Sequence, residues 1–235
     1  SHMIFFMFIK IKKLTETLKN TVTEFYIEME GEPSEFKVIL GSASAARRKI
    51  LADMGYEFII ITADIDEKSI RKDSPEELVT VLADAKASAI IEKLQSSIHN
   101  KNAQLVTEAT LLITSDQVVV FEGETREKPC SEEEARAFIK GYSNGHAATV
   151  TAVQVTNLRS GIKRGGCDRV NIHFKEIPSE VIEKLIEEGT VMRVAGGLLI
   201  EHPLVAPYVD RVVGQIDSVM GLPKDLTYKL LKEAI

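Results

Sequence analysis

A single carboxylate, Asp116, breaks an apolar stretch that runs from Leu111 to Phe121. Leu111-Leu112-Ile113 reads as a buried strand, with Gln117 to Phe121 as its continuation or its neighbour. An ionised side chain in such a setting is costly unless something answers its charge. Three answers are open: the residue caps a turn at a strand end, pairs with a cation, or binds a metal. A position at the carboxyl end of a buried strand, where ligands collect in open sheets, favours a functional role.

The rest of the chain supplies a sheet for that strand. Phe36-Lys37-Val38-Ile39-Leu40 and Phe58-Ile59-Ile60-Ile61 read as short buried strands, the first followed by the small-residue loop Gly41-Ser42-Ala43-Ser44. Ala45 to about Met54 reads as a helix stopped by Gly55. Ser74-Pro75-Glu76-Glu77 is a helix start with a capping box, and Ser131 with Glu134 is another, its helix running to about Lys140. Glu122-Gly123 reads as a turn. Ala147–Thr156 and Asp168–Phe174 alternate as strands, with Gly161 and Gly165-Gly166 placed in their connection. Glu180–Glu187 and the segment after Gly221-Leu222-Pro223, through Leu231, read as helices. Strands and helices alternate early and give way to a strand-rich middle. The expectation is an α/β protein: a mixed sheet with flanking helices, in two lobes around a central cleft.

Ser1-His2-Met3 reads as a tag remnant, and residues 4–33 as an N-terminal extension closed by Gly31-Glu32-Pro33, leaving a domain over 34–235. The run Ile4-Phe5-Phe6-Met7-Phe8-Ile9 is far shorter than the ~20 residues of a membrane helix and has no small-residue cleavage site nearby, so neither a membrane span nor a signal peptide is expected. A net charge of −6 argues against a protein that coats nucleic acid. It leaves room for a small phosphate ligand, which needs only a local positive pocket. Cys130 and Cys167 stand far apart with no Cys/His cluster around them, which predicts two free thiols in a reducing cytosol.

Four further features bear on chemistry. The strand–loop–helix at Leu40–Leu51 places Ser42, Ser44 and Arg47 at a helix start, where free N–H groups, hydroxyls and a guanidinium fork suit phosphate oxygens; a serine cap with solvated arginines gives the same pattern. Lys86 lies in one helical row with Leu82 and Ile90, so it borders the core, and either snorkels to water or points a cation into a cleft. Asp64-Ile65-Asp66-Glu67 is an acidic cluster: a solvated loop, or hard oxygen ligands for magnesium. Glu127-Lys128-Pro129 is by itself a charged turn. Taken together, these residues offer acidic oxygens for a metal and cations for phosphates.

Those same segments carry a resemblance. Leu40-Gly41-Ser42-Ala43-Ser44 with Arg47 and Ile50-Leu51, then Asp66-Glu67, then Leu82-Ala83-Asp84-Ala85-Lys86-Ala87, then Ser115-Asp116-Gln117-Val118-Val119, resemble motifs of the Maf family. Glu127-Lys128-Pro129, Tyr142-Ser143-Asn144 with His146, Ala195-Gly196-Gly197 and Gly221-Leu222-Pro223 follow in the family's order, so the likeness covers about Val38 to Leu231. The resemblance implies a fold related to inosine triphosphate pyrophosphatases. It implies a cytoplasmic enzyme that splits a nucleoside triphosphate into a monophosphate and pyrophosphate with magnesium or manganese, and a homodimer. Residue by residue, it implies Asp116 as general base or metal-orienting carboxylate and Glu67 as the second metal carboxylate. It implies Arg47, Lys86 and Lys128 as phosphate clamps, with Ser42 and Ser44 beside the phosphates.

The chain departs from the family pattern at Ala45-Ala46, where Pro-Arg is common, at Gln117, where threonine is usual, and at Glu127, where glycine is. Glu201 stands where many members carry glutamine; glutamate resembles the branch that acts on 7-methyl-GTP, glutamine the branch that acts on thymidine and uridine triphosphates. A carboxylate there would accept hydrogen bonds from guanine's donor edge, or simply face solvent. The departures keep a second reading open, a non-catalytic nucleotide-binding regulator of cell division acting through protein partners.

Overall fold

The computed structural model describes residues 36–62, 64–96 and 109–235; the extension expected over residues 4–33, with its apolar run, lies outside the described residues. The described part is built on one long strand. Residues Thr110–Phe121 form β3, so Gln117 to Phe121 is the continuation of the Leu111 strand and not its neighbour, and the strand runs on through Asp116. Asp116 therefore lies in mid-strand, not at a strand end.

Before β3 come β1 (Lys37–Leu40), helix α1 (Ala45–Asp53), β2 (Phe58–Ile60) and the 22-residue helix α2 (Pro75–Ser96). After it come β4 (Glu124–Arg126), α3 (Glu132–Tyr142), β5 (His146–Asn157), β6 (Lys163–Phe174), α4 (Ser179–Glu188), β7 (Val209–Val213), the short α5 (Ile216–Val219) and α6 (Lys224–Ala234). The sheet runs β2-β1-β3-β5-β6-β7, with β4 attached to β3. β1 pairs in parallel with β2 and β3, and every other pairing is antiparallel. This is the mixed α/β sheet with flanking helices that the sequence leads one to expect.

Local chemistry sets the boundaries. Ser74 Oγ accepts from the Glu77 amide at 3.0 Å and Ser131 Oγ from the Glu134 amide at 3.1 Å, as both capping boxes require. Glu134 reaches back to the Cys130 amide, one residue beyond the usual partner. Glu122-Gly123 makes the β3–β4 hairpin turn. Two expectations are corrected. Gly165-Gly166 lie inside β6, because they pair with Gln154 and Val153 of β5, and α6 packs so close on Gly166 that a β-carbon there would come within 2.9 Å of Leu226. The Phe58–Ile61 segment is an outer edge strand, with Ile59 45% and Ile60 43% exposed, because only β1 flanks it.

The sheet is covered on both faces. Helix α2 lays Leu78, Val79, Leu82 and Ala83 on Val118, Val120, Ala148 and Val150. On the other face the apolar residues fall into two groups. One joins α1 and α6 to Leu111, Ile113, Val153 and Val155; the other joins α3 and α4 to Val119, Val170 and Ile172. Ser115 and Gln117 lie between the two groups along β3, since residues two apart share a face.

Gly196 locks the second group to β3. It takes φ +60°, and a β-carbon there would come within 2.7 Å of both Val119 Cβ and Tyr142 Oη. The Tyr142 hydroxyl donates to the Gly196 carbonyl at 2.8 Å. Gly196→Ala is expected to destabilise the fold by at least about 2 kcal/mol, from overpacking added to left-handed strain. Chemical denaturation measures it, and an unchanged midpoint would contradict this packing.

Candidate active site

β3 has two different partners along one edge and none between them. β1 pairs with it from Thr110 to Ile113, and β4 pairs with it from Val119 to Phe121. Residues 114–118 are left without a strand neighbour on that side. The loop after β1, Gly41–Ser44, enters the gap from one end, tied by the Gly41 amide to the Ile113 carbonyl at 2.7 Å. The loop after β4, Glu127–Pro129, lies at the other. Asp116 stands within this interval.

Helix α2 crosses the same face of the sheet and brings Lys86 to Asp116. The Lys86 ammonium donates to Asp116 Oδ1 at 2.5 Å and pairs with Glu67 Oε1 at 2.8 Å. Its side chain is 15% exposed and that of Asp116 11%. The helical row argument holds: Leu82 and Ile90 are buried and Lys86 borders them. The ammonium reaches a carboxylate, not bulk water. The acidic cluster resolves the same way. Asp64 and Asp66 are exposed, whereas Glu67, on a 3₁₀ turn Glu67–Ser69, turns to Lys86.

Arg47 completes the group. Ser44 caps α1 by accepting from the Arg47 amide at 3.3 Å. The guanidinium then donates from Nη1 to the Ser115 carbonyl at 2.8 Å, and from Nε to the Gly221 carbonyl at 2.8 Å. It also approaches Ser42 Oγ at 3.4 Å. Ser42 is buried and accepts from the Ser44 amide as well, so its own hydroxyl hydrogen remains to be given to a ligand. Lys128 is exposed and acts on Glu67 through its charge alone. Glu201 is exposed in the turn after Ala195–Gly197 and makes no hydrogen bond or ion pair to the other site residues among the described residues. The preceding turn Ala195–Gly197 is joined to the Lys128 loop, since the Gly196 amide donates to the Glu127 carbonyl at 2.8 Å.

Some contributors carried no legible signal. Arg71 donates to the Glu67 carbonyl at 3.3 Å and pairs with Glu127 at 3.6 Å, bridging the two acidic loops. Only its spacing from Glu67 could have suggested this. Ser115 and Gly221 act through backbone carbonyls, which every residue has.

The electrostatics separate the two carboxylates. Burial pushes Asp116 above the usual carboxylate range, and nearby Glu67 adds to this, against the pull of Lys86 and Arg47. Burial acts upward on Glu67 too, but Lys86, Lys128 and Arg47 together hold it below its ordinary value. Burial lowers Arg47, opposed by Asp116 and Glu67; a guanidinium so placed still remains a cation. The two acids therefore act oppositely on stability. The contribution of ionised Glu67 is present above the unfolded carboxylate value and is lost as pH falls through the depressed folded one. Asp116 favours the fold while protonated, and that contribution is lost as pH rises from the unfolded value through the raised folded one.

A divalent metal fits this donor set in a limited way. Asp116 and Glu67 each keep a second oxygen with no hydrogen bond among the described residues. Two hard carboxylates are what magnesium or manganese takes when substrate phosphates and waters fill the remaining positions. No group of three or more His, Cys, Asp or Glu side chains among the described residues forms a cage of its own. Both cysteines are free and exposed. No described helix is long and apolar enough to cross a membrane.

Lys86→Met should raise the titration midpoints of both Asp116 and Glu67, because one cation stabilises both anions. Carboxyl-carbon NMR reads this directly, and unmoved midpoints would show that the ammonium does not bridge them.

Comparison with known proteins places this arrangement among relatives. Residues 37–234 match the family model described as "Maf-like protein". A 7-methyl-GTP pyrophosphatase of Dictyostelium discoideum is 38% identical over 196 residues, covering 83% of this chain and 96% of the relative. A dTTP/UTP pyrophosphatase of Psychrobacter cryohalolentis is 30% identical over 218 residues, with coverage of 83% and 96%. One of Thermotoga maritima is 29% identical over 197 residues, with coverage of 84% and 89%.

Proposed function

The chain belongs to the Maf-like protein family, and we propose that it is a nucleoside triphosphate pyrophosphatase that cuts between the α- and β-phosphates and prefers 7-methyl-GTP to dTTP and UTP. One observation carries the reading. Lys86 brings Asp116 and Glu67 together in a gap of the sheet where Arg47 and Ser42 also converge. A polyphosphate needs such a mixture of cations and hard oxygens, and a merely structural ion pair does not.

Asp116 is the general base. Burial raises its proton affinity above that of an ordinary carboxylate, which is the direction a base requires. A water attacks the α-phosphorus and passes its proton to Asp116. The bond from α-phosphorus to the bridging oxygen breaks, and its electrons leave with pyrophosphate. Arg47, Lys86 and Lys128 offset the charge that develops on the phosphates, and Ser42 donates a hydrogen bond to one of their oxygens. Asp116 and Glu67 would hold magnesium or manganese, which supplies charge neutralisation to the phosphates when bound. When the polyphosphate arrives, it competes with the two carboxylates for Lys86.

The preference rests on the Dictyostelium relative, named for 7-methyl-GTP, and on Glu201. A carboxylate at that position accepts from the N1–H and amino group of guanine and attracts the positive methylated ring. It suits a uracil carbonyl poorly. The Ala195–Gly197 turn that precedes it in the chain is bonded to the Lys128 loop, which supports placing the base end and the phosphate end of one ligand along this path.

The test is pyrophosphate release from a triphosphate panel with magnesium and with manganese. 7-methyl-GTP should show the higher kcat/KM, and dTTP or UTP ranking first would end the preference. Asp116→Asn should lower kcat by roughly a hundredfold to ten-thousandfold, the range of a lost general base. Near-normal turnover would remove Asp116 from the reaction. Tight binding of triphosphates without release across the panel would favour the regulator reading instead.

A further inference from the structure

We propose that Arg71 is a further phosphate-binding residue of this site, held on Glu127 in the free protein and transferred to the polyphosphate when it binds. The proposal rests on the pyrophosphatase reading only for which polyphosphate that is.

The cations already placed in the gap are largely committed. Lys86 is bound to Asp116 and Glu67, and two donor positions of Arg47 hold backbone carbonyls. Lys128 is exposed and forms no ion pair among the described residues. The start of α1 carries Ala45-Ala46 where Pro-Arg is common in the family pattern, so it supplies one cation fewer. A triphosphate carries more negative charge than one exposed ammonium offsets, so a further cation close by has a use.

Arg71 is placed to be that cation. Its guanidinium stands between the two loops that flank the gap. Nη1 donates to the Ile70 carbonyl at 2.7 Å and to the Glu67 carbonyl at 3.3 Å, and it pairs with Glu127 Oε1 at 3.6 Å. Glu67 is the residue that holds Lys86, and Glu127 directly precedes Lys128. All three contacts fall on Nη1. Nε and Nη2 make no hydrogen bond among the described residues, and they form an edge that can take two oxygens of one anion at once. Arg136 uses the same edge in this chain: its Nε and Nη2 grip the two oxygens of Glu183 at 2.7 and 2.9 Å. In Arg71 that fork is open, and the side chain is 56% exposed.

The two loops are anchored without the Arg71–Glu127 pair. Ile65 and Ile70 pack against the cluster of Val118 and Val120, which seats the Glu67 loop on β3. Glu127 is held on both sides of its own side chain. The Arg126 guanidinium lies 4.1 Å over the Phe121 ring and donates to the Phe138 carbonyl at 3.1 Å, and the Glu127 carbonyl accepts from the Gly196 amide at 2.8 Å. An ion pair of 3.6 Å between two exposed side chains is a weak strut. It is a suitable resting place, because a polyanion outcompetes a single carboxylate for a guanidinium. Glu127 stands where glycine is usual, so this chain carries both the arginine and the acid that keeps it beside the gap.

The two ends of the pair should therefore act in opposite directions. Arg71→Met should weaken binding of inorganic tripolyphosphate, read by calorimetry, by about tenfold, the loss of one charge-assisted contact. Glu127→Gln releases Arg71 and keeps the carbonyl that holds Gly196; it should strengthen binding by about threefold, the scale of an exposed pair. In an Arg71→Met background Glu127→Gln should bring no gain. An equal gain with and without Arg71 would overturn the proposal, because Glu127 would then act on Lys128 or on the ligand directly. A loss from both single substitutions would overturn it too, because a strut between loops fails whichever end is cut. So would unchanged affinity in Arg71→Met. Circular dichroism and Tm check the fold. Should Arg71→Met fail to fold, Arg71→Lys takes its place: it keeps the charge, loses the fork and should still weaken binding by about threefold. For 7-methyl-GTP, kcat/KM should rank the variants in the same order. Failure of the wild type to release pyrophosphate sinks the enzymatic reading alone, since tripolyphosphate binding needs no reaction and still decides the role of Arg71.

Discussion

One strand edge with two partners and a gap governs this protein. A strand's N–H and C=O groups have to be satisfied, and β3 does this with β1 at its start and β4 at its end. Between them the backbone must find other partners. The Ser115 carbonyl takes a guanidinium in place of a neighbouring strand. That exchange brings a cation into the sheet at the residue before Asp116, and the neighbouring loops bring the rest. The site is thus a consequence of how the sheet is interrupted.

The ionic cluster in the gap is held in balance. Asp116 is destabilised by burial, and Lys86 and Arg47 offset only part of that cost. Glu67, more exposed, gains more than it loses. A site tuned in this way for stability alone would replace the carboxylate with something apolar, since buried ion pairs are often no better than well-packed hydrophobic side chains. The arrangement makes sense when a polyphosphate and a metal compete for the same partners. The relatives' names, 7-methyl-GTP pyrophosphatase and dTTP/UTP pyrophosphatase, agree with the polyphosphate.

Rigidity around the gap comes from elements remote in sequence. Gly196 fits against Val119 and Tyr142, and its amide holds the loop that carries Lys128. Gly221 fits against Arg47 from the other side. Both late glycine motifs read from the sequence are therefore supports for the loops and side chains of the gap, and neither supplies a charged group itself.

Much of this was legible in the chain before folding. The capping boxes at Ser74 and Ser131, the α2 apolar row and the run from Leu111 each have a local cause, so local pattern located them. Lys86 in an apolar row and Asp116 in an apolar strand announced a cost that something had to answer. What answered it was not legible. The sequence could not say that β3 runs unbroken through Asp116, that Phe58–Ile60 is an exposed edge, or that Gly165-Gly166 lie within a strand. Each depends on which neighbour the strand acquires. The partners of Arg47 are backbone carbonyls of Ser115 and Gly221, and a carbonyl has no residue identity to read. Composition and spacing determined which charges exist and what isolating them would cost; only the tertiary structure decided which charges meet, because pairing across the sheet joins segments that local pattern treats as independent.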